Sequence, residues 1–186
     1  MRVLSNRALR RGLVAITALS FFCFIPPGVL FASGKMQLKA AAFQSGGTIP
    51  SRYSCSGEDV SPALNWTEVP SGTKSFVLTV TDPDAPGHVW VHWVIFNLPP
   101  QARSLPEAVP ATERIANGAL QGSNDFEKLG YGGPCPPPGK PHHYHFRLYA
   151  LNVSLQLKPG VTRQELEAAM KGHVLARSEI IGLFGR

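Results

Sequence analysis

Apolar residues in this chain come mostly in short runs separated by glycine and proline, and few of them recur at a helical interval. Ser75-Phe76-Val77-Leu78-Thr79-Val80-Thr81 and the run from Val89 to Leu98 are apolar and β-branched on both faces and end in turn formers. That pattern predicts two central strands, each buried on both sides. His142 to Asn152 alternates instead. His142, Tyr144, Phe146, Leu148 and Ala150 share one face, and His143, His145, Arg147 and Tyr149 share the other, which places His142 at the mouth of a third strand. Weaker strand signals span Met36 to Phe43, Ala63 to Trp66 and Ser154 to Leu157.

One segment has helical spacing. Thr162 with Glu165 forms a capping box, with Val161 and Leu166 at the hydrophobic-staple positions. Leu166, Ala169, Met170 and His173 then follow on one face, so a helix is expected from Thr162 to about Ala176, with His173 facing the core. Ser104 to Lys128 is polar and irregular, and reads as a long loop with one turn of helix.

The first 34 residues form a separate region. They contain Arg2, Arg7, Arg10 and Arg11 and no acid, and run uncharged from Gly12 to Gly34. A basic start, an apolar stretch from Leu13 to Ile25, the breaker Pro26-Pro27-Gly28 and the small residues Ala32-Ser33-Gly34 are the marks of an export signal. Residues 1–34 are therefore expected to be a signal peptide cleaved after Ala32 or Gly34, or, uncleaved, an N-terminal inner-membrane anchor. Cys23 is no lipid attachment site, because bulky Phe22 precedes it. Residues 35–186 then form one domain, periplasmic or secreted.

The signal takes 4 of the 18 basic residues with it, so the remaining 152 carry 14 against 12 acids, a net of +2. Those charges are scattered, without the basic stripe that a phosphate backbone requires, so nucleic acid is not an expected partner. Two cysteines remain, Cys55 and Cys135. An oxidising compartment permits a disulfide between them, and two buried thiols are equally compatible with the sequence.

Candidate chemistry gathers at the ends of the strongest strands. Asp82-Pro83-Asp84-Ala85-Pro86 follows a buried strand, and its prolines stiffen the turn. Taken alone it reads as an Asx-turn with exposed acids. His92 interrupts an apolar strand, where its ring must find partners. Neighbouring strands would bring it to the same end as Asp82, where a carboxylate accepting one imidazole N–H would fix the tautomer and leave the other nitrogen for a ligand. Gly132-Gly133-Pro134-Cys135-Pro136-Pro137-Pro138-Gly139 leads into His142-His143-Tyr144. The N–H groups of Gly132, Gly133, Cys135 and Gly139 are candidates for a backbone nest around an anion. No GxSxG, HExxH or CxxC motif is present.

These residues carry a resemblance that spans nearly all of residues 35–186. Asp82-Pro83-Asp84-Ala85-Pro86 followed by Trp90-Val91-His92-Trp93, and Gly133-Pro134-Cys135-Pro136-Pro137 followed by His142-His143-Tyr144, resemble the two ordered motifs of the phosphatidylethanolamine-binding protein family. Ser54-Cys55-Ser56-Gly57, Ser61-Pro62-Ala63-Leu64-Asn65-Trp66 and Met170-Lys171-Gly172-His173-Val174-Leu175-Ala176 are similar to its bacterial, Raf kinase inhibitor-like branch. The resemblance implies a mainly β fold, a sandwich of two sheets with one or two peripheral C-terminal helices. It also implies a small pocket for phosphate, phosphoethanolamine or carboxylate anions at Asp82, His92, His142, Tyr144, Gly133 and Cys135. A binding module is the leading expectation, with no catalytic residue, cofactor or metal, and with peripheral membrane contact through a lipid head group. Inhibition of a periplasmic protease or other protein is a second class, and metal-assisted hydrolysis a third. His143 stands where animal members carry Arg, so eukaryotic partner specificity does not carry over.

Overall fold

The computed structural model describes residues 35–186, so the expectation for residues 1–34 lies outside the described part. The strands are β1 (Gln37–Ala40), β2 (Leu64–Thr67), β3 (Ser75–Asp82), β4 (Trp90–Leu98), β5 (Ser104–Leu105), β6 (Leu120–Gln121), β7 (His142–Leu151) and β8 (Val174–Phe184). A helix α1 (Arg163–Met170) lies between β7 and β8 in the chain. Two antiparallel sheets result, one of order β1-β2-β5 and one of order β6-β4-β3-β7-β8. The fold is the expected mainly β arrangement of two sheets.

Residue alternation explains why every residue of β3 is buried. Phe76, Leu78 and Val80 join Trp93, Ile95, Tyr144, Phe146 and Leu148 in a core shared with Leu38 and Trp66 of the smaller sheet. Val77 points the other way and packs with Val91, Val94 and Phe96 against Leu166 and Met170 of α1. Each such side chain contributes roughly 1.5–3 kcal/mol of burial free energy. β3 and β4 thus form a rigid floor beneath whatever lies at their ends.

Four sequence expectations differ from the structure. The helix begins as predicted, with both capping-box hydrogen bonds at Thr162 and Glu165, but it ends at Met170. Gly172 takes φ +82 and turns the chain, and Val174 to Ala176 open β8 instead of closing the helix. Those apolar residues fit either period, and pairing with β7 decides the outcome. Among the described residues the helix is single, within the expected one or two, and β8 follows it as the last element. His173 lies beyond the helix and half-buried, its Nδ1 3.0 Å from Asn152 Oδ1, and is not a core residue. Ser154–Leu157 forms no strand, because Leu155 spends its N–H and C=O on the side chain of Asn97.

The segment from Ser104 to Lys128 holds β5 and β6 and no helical turn. It is tied down by buried polar side chains. Gln121 accepts from Trp93 Nε1 at 2.8 Å and donates to the Pro110 and Thr112 carbonyls.

Candidate functional site

The site forms where β3, β4 and β7 end together. Asp82, the last residue of β3, is only 3% exposed. Its Oδ1 accepts the Asp84 N–H at 2.8 Å, the predicted Asx-turn, and its Oδ2 accepts from His142 Nδ1 at 2.7 Å. The turn and the cross-strand bond therefore use opposite oxygens of one buried carboxylate.

A bulge in β4 sets His92. Trp93 pairs with Val80 while Val91 pairs with Thr81, so His92 faces no partner residue of its own on β3. Bulges re-aim side chains in this way. The ring Nδ1 lies 2.7 Å from the Gly132 carbonyl oxygen, and the His92 carbonyl accepts the Gly132 N–H at 2.9 Å. This reciprocal pair clamps the proline-rich loop to the strand. The partner of His92 is thus a main-chain carbonyl, and Asp82 serves His142 instead. Burial pushes the His92 pKa down, against the raising effect of the Gly132 carbonyl and of Asp82, which favours the neutral ring.

Asp82, His92 and His142 border one cavity of about 180 Å³ together with Ala85, Pro86, Trp90, Phe126, Cys135, Pro136 and Pro137. Pockets for drug-sized ligands run to about 300–1,000 Å³, so this one suits a small head group or ion. A wider, more open groove of about 480 Å³ lies elsewhere, bordered by Asn97, Arg114 and Leu155 to Lys158. The Asn97 amide there is already consumed by Leu155, and no histidine or carboxylate side chain lines the groove.

Cys135 is joined to Cys55 by a disulfide across 80 positions, which fixes the pocket wall to the segment after the turn Ser51–Tyr53. The other glycine-loop expectations need correction. The Gly133 N–H donates to Asp59 Oδ1 at 2.6 Å, the Gly132 N–H to His92, and the Gly139 N–H to the Arg186 carbonyl at 3.4 Å. Three of the four proposed nest donors are therefore spent within the protein, and Gly132 and Gly133 serve packing. A Cβ on Gly133 would sit 2.5 Å from both Asp59 Oδ1 and the Tyr53 carbonyl oxygen, and one on Gly132 would sit 2.5 Å from the Phe126 ring. Neither glycine lines the cavity.

Tyr144 also stays behind the wall. It is fully buried, its ring stands edge-on to His92 with centroids 5.1 Å apart, and its hydroxyl has no hydrogen-bond partner. Burial, with the Asp82 carboxylate nearby, pushes that hydroxyl's pKa up. Tyr144 backs the His92 ring and does not border the cavity.

Two wall residues, Trp90 and Phe126, carried no signal strong enough to single them out. Trp90 stands two positions before His92. Phe126 is an isolated aromatic in a polar loop, placed by buried Asn124, whose Oδ1 accepts from the Phe126 and Lys128 N–H groups while its Nδ2 donates to the Gly130 carbonyl. Phe126 stacks edge-on to both Trp90 and His92, at 5.4 Å in each case. On the rim, His143 Nδ1 lies 2.6 Å from Asp84 Oδ2 and holds that carboxyl below the usual range. Among the described residues no three His, Cys, Asp or Glu side chains are grouped to hold a metal ion.

Comparison with known proteins identifies the family. The sequence model described as phosphatidylethanolamine-binding protein matches residues 39–185. The UPF0098 protein of Methanothermobacter thermautotrophicus is 52% identical over 151 residues, which cover 81% of this chain and 99% of that protein. The crystal structure of the homologue CT736 from Chlamydia trachomatis superposes with a TM-score of 0.75 at 41% identity, covering 82% of this chain and 98% of that one. The Escherichia coli protein YbcL, a member of the mammalian PEBP family, superposes with a TM-score of 0.77 at 34% identity, over 82% of this chain and 99% of its own. Motif order, two-sheet fold and both kinds of likeness converge: the chain belongs to the phosphatidylethanolamine-binding protein family.

Proposed function

We propose that this protein is an exported binding module whose pocket at Asp82, His92 and His142 takes a small phosphate-type anion, free or as a phospholipid head group. One observation carries the reading. Two imidazole rings and a carboxylate border a single small cavity whose other walls, from Ala85, Pro86, Trp90, Phe126, Pro136 and Pro137, are apolar. Such walls strengthen any charge-assisted hydrogen bond made inside. Export is supported by the arginine-rich, acid-free start and by a disulfide of the kind that persists in oxidising compartments.

Calorimetric titration of the purified 35–186 protein with inorganic phosphate and with phosphoethanolamine tests the ligand reading. Saturable binding of either supports it, and the absence of heat and of any NMR perturbation at His92 and His142 removes it. Fractionation with intact-mass analysis tests export, for which a chain beginning near Ser33 or Lys35 is expected. A full-length cytoplasmic species contradicts it.

A further inference from the structure

The hydrogen bonds that orient the two pocket histidines also decide what those rings can offer a ligand. A main-chain carbonyl can only accept, so at 2.7 Å from the Gly132 oxygen the His92 Nδ1 must carry a proton. His142 Nδ1 faces Asp82 Oδ2 at 2.7 Å, and the other oxygen of that carboxylate accepts the Asp84 N–H. An ionised carboxylate likewise only accepts, so the His142 Nδ1 is the donor too. Both neutral rings are thereby held in the same tautomer, with a bare lone pair on Nε2. Neither Nε2 has a protein hydrogen-bond partner, and neither is among the sealed-in orphan polar atoms, although His92 as a residue is only 2% exposed. Both rings border the same cavity.

The remaining walls supply no side-chain donor. The Trp90 indole N–H is sealed away from solvent, Cys135 is in a disulfide, and Ala85, Pro86, Phe126, Pro136 and Pro137 have no polar side-chain atom. Of the loop's main-chain donors only the Cys135 N–H is uncommitted among the described residues. With both rings neutral, the polar side-chain groups of the cavity are all acceptors: two imidazole lone pairs and the Asp82 carboxylate. A fully ionised anion would meet repulsion there.

We propose, building on the anion reading above, that a ligand enters this pocket together with a proton. Either Nε2 of His92 or His142 takes up the proton and then donates to the anion, or the ligand brings an acidic hydroxyl that donates to the bare Nε2. The site therefore selects singly protonated phosphate and monoanionic phosphate esters over anions that cannot carry a proton near neutral pH. Asp82 of β3 and Asp125 of the 122–131 loop face His92, whose ring also packs on Tyr144 of β7. Asp82 and Asp84 of the β3 turn face His142, and Arg186, bonded to the Pro136 carbonyl, lies near Tyr144. Carboxylates dominate this set, and Asp82 and Asp125 act on His92 in the direction of proton uptake. The burial that lowers the His92 pKa is offset when the anion arrives.

Sulfate and phosphate distinguish the two routes, because sulfate stays fully ionised while phosphate can bring its own proton. Titrations of the 35–186 protein from pH 5.5 to 8, each in two buffers of different ionisation enthalpy, give affinity and protons taken up together. The expected result is uptake of about one proton per sulfate at the upper pH, with sulfate affinity falling about tenfold per pH unit there and phosphate binding persisting to higher pH. Nitrogen-15 shifts of the two rings at pH 8 should report protonated Nδ1 and bare Nε2. Equal affinity for both anions across the range without proton uptake, or a protonated Nε2 in the neutral ring of His92 or His142, overturns the proposal while leaving the anion site standing. Failure of both anions to bind at any pH overturns the anion reading and this proposal together.

Discussion

His142 Nδ1 and Asp82 Oδ2 lie 2.7 Å apart although 60 positions separate them in the chain, and this bond joins the mouth of β7 to the end of β3. It is a charge-assisted bond at a residue only 3% exposed, so it orients a cavity-lining ring and also contributes to stability. Asp82→Ala removes the acceptor for both the ring and the Asp84 N–H. A loss of about 1.5–3 kcal/mol is expected in urea denaturation, and a smaller one for Asp82→Asn, which keeps an acceptor oxygen. Equal stability of Asp82→Ala and parent would mean that the bond is not made in solution.

The disulfide gives a second, independent expectation. Cys55 and Cys135 close a loop of 80 positions, and cross-links of native loops typically contribute about 2–4 kcal/mol, larger for longer loops in the chain-entropy account. The Cys55→Ser, Cys135→Ser double variant should unfold at correspondingly lower urea. Thiol titration of the denatured, unreduced parent should find neither cysteine free, and two reactive thiols in material isolated from an oxidising compartment would contradict the bond.

His92 should make stability depend on acid. Burial lowers its folded-state pKa below that of the unfolded chain, so as pH falls from roughly 6.5 the unfolded chain takes a proton that the folded one resists. Stability from this group is therefore full above that range and declines below it. The Asp84 pKa is lowered too, by its His143 hydrogen bond, and its contribution is lost only at still lower pH. Between about pH 7.5 and 5 the parent should lose more stability than His92→Gln, whose side chain can still donate to the Gly132 carbonyl. Parallel curves for the two proteins would show that burial of His92 carries no such cost.

Much of this arrangement was legible in the residues. The two-sided apolar runs predicted β3 and β4, and the alternation from His142 onward assigned the two faces of β7, because side-chain period is a local property of a strand. The Thr162 capping box was local as well, and it held. The helix end was not legible, since Val174 to Ala176 suit either period and only pairing with β7 makes them strand. Long-range geometry hid the rest. Nothing near His92 signals the β4 bulge or announces that Gly132, 40 positions away, is its partner. The Gly133 and Tyr144 motif positions proved to be packing and support for the pocket, and Phe126 entered its wall through the buried amide of Asn124.

The most direct test of the pocket is calorimetric titration of phosphate and phosphoethanolamine into parent, His92→Ala, His142→Ala and His145→Ala. His145 is a fair control, because it lies on the opposite face of β7 and bonds Glu179 at 2.8 Å. Loss of a charge-assisted partner should cost about 1.5–3 kcal/mol, roughly tenfold to more than a hundredfold in affinity, for His92→Ala and His142→Ala. His145→Ala should bind like the parent. Unchanged affinity in all three variants, or loss confined to His145→Ala, would contradict an anion site at Asp82, His92 and His142.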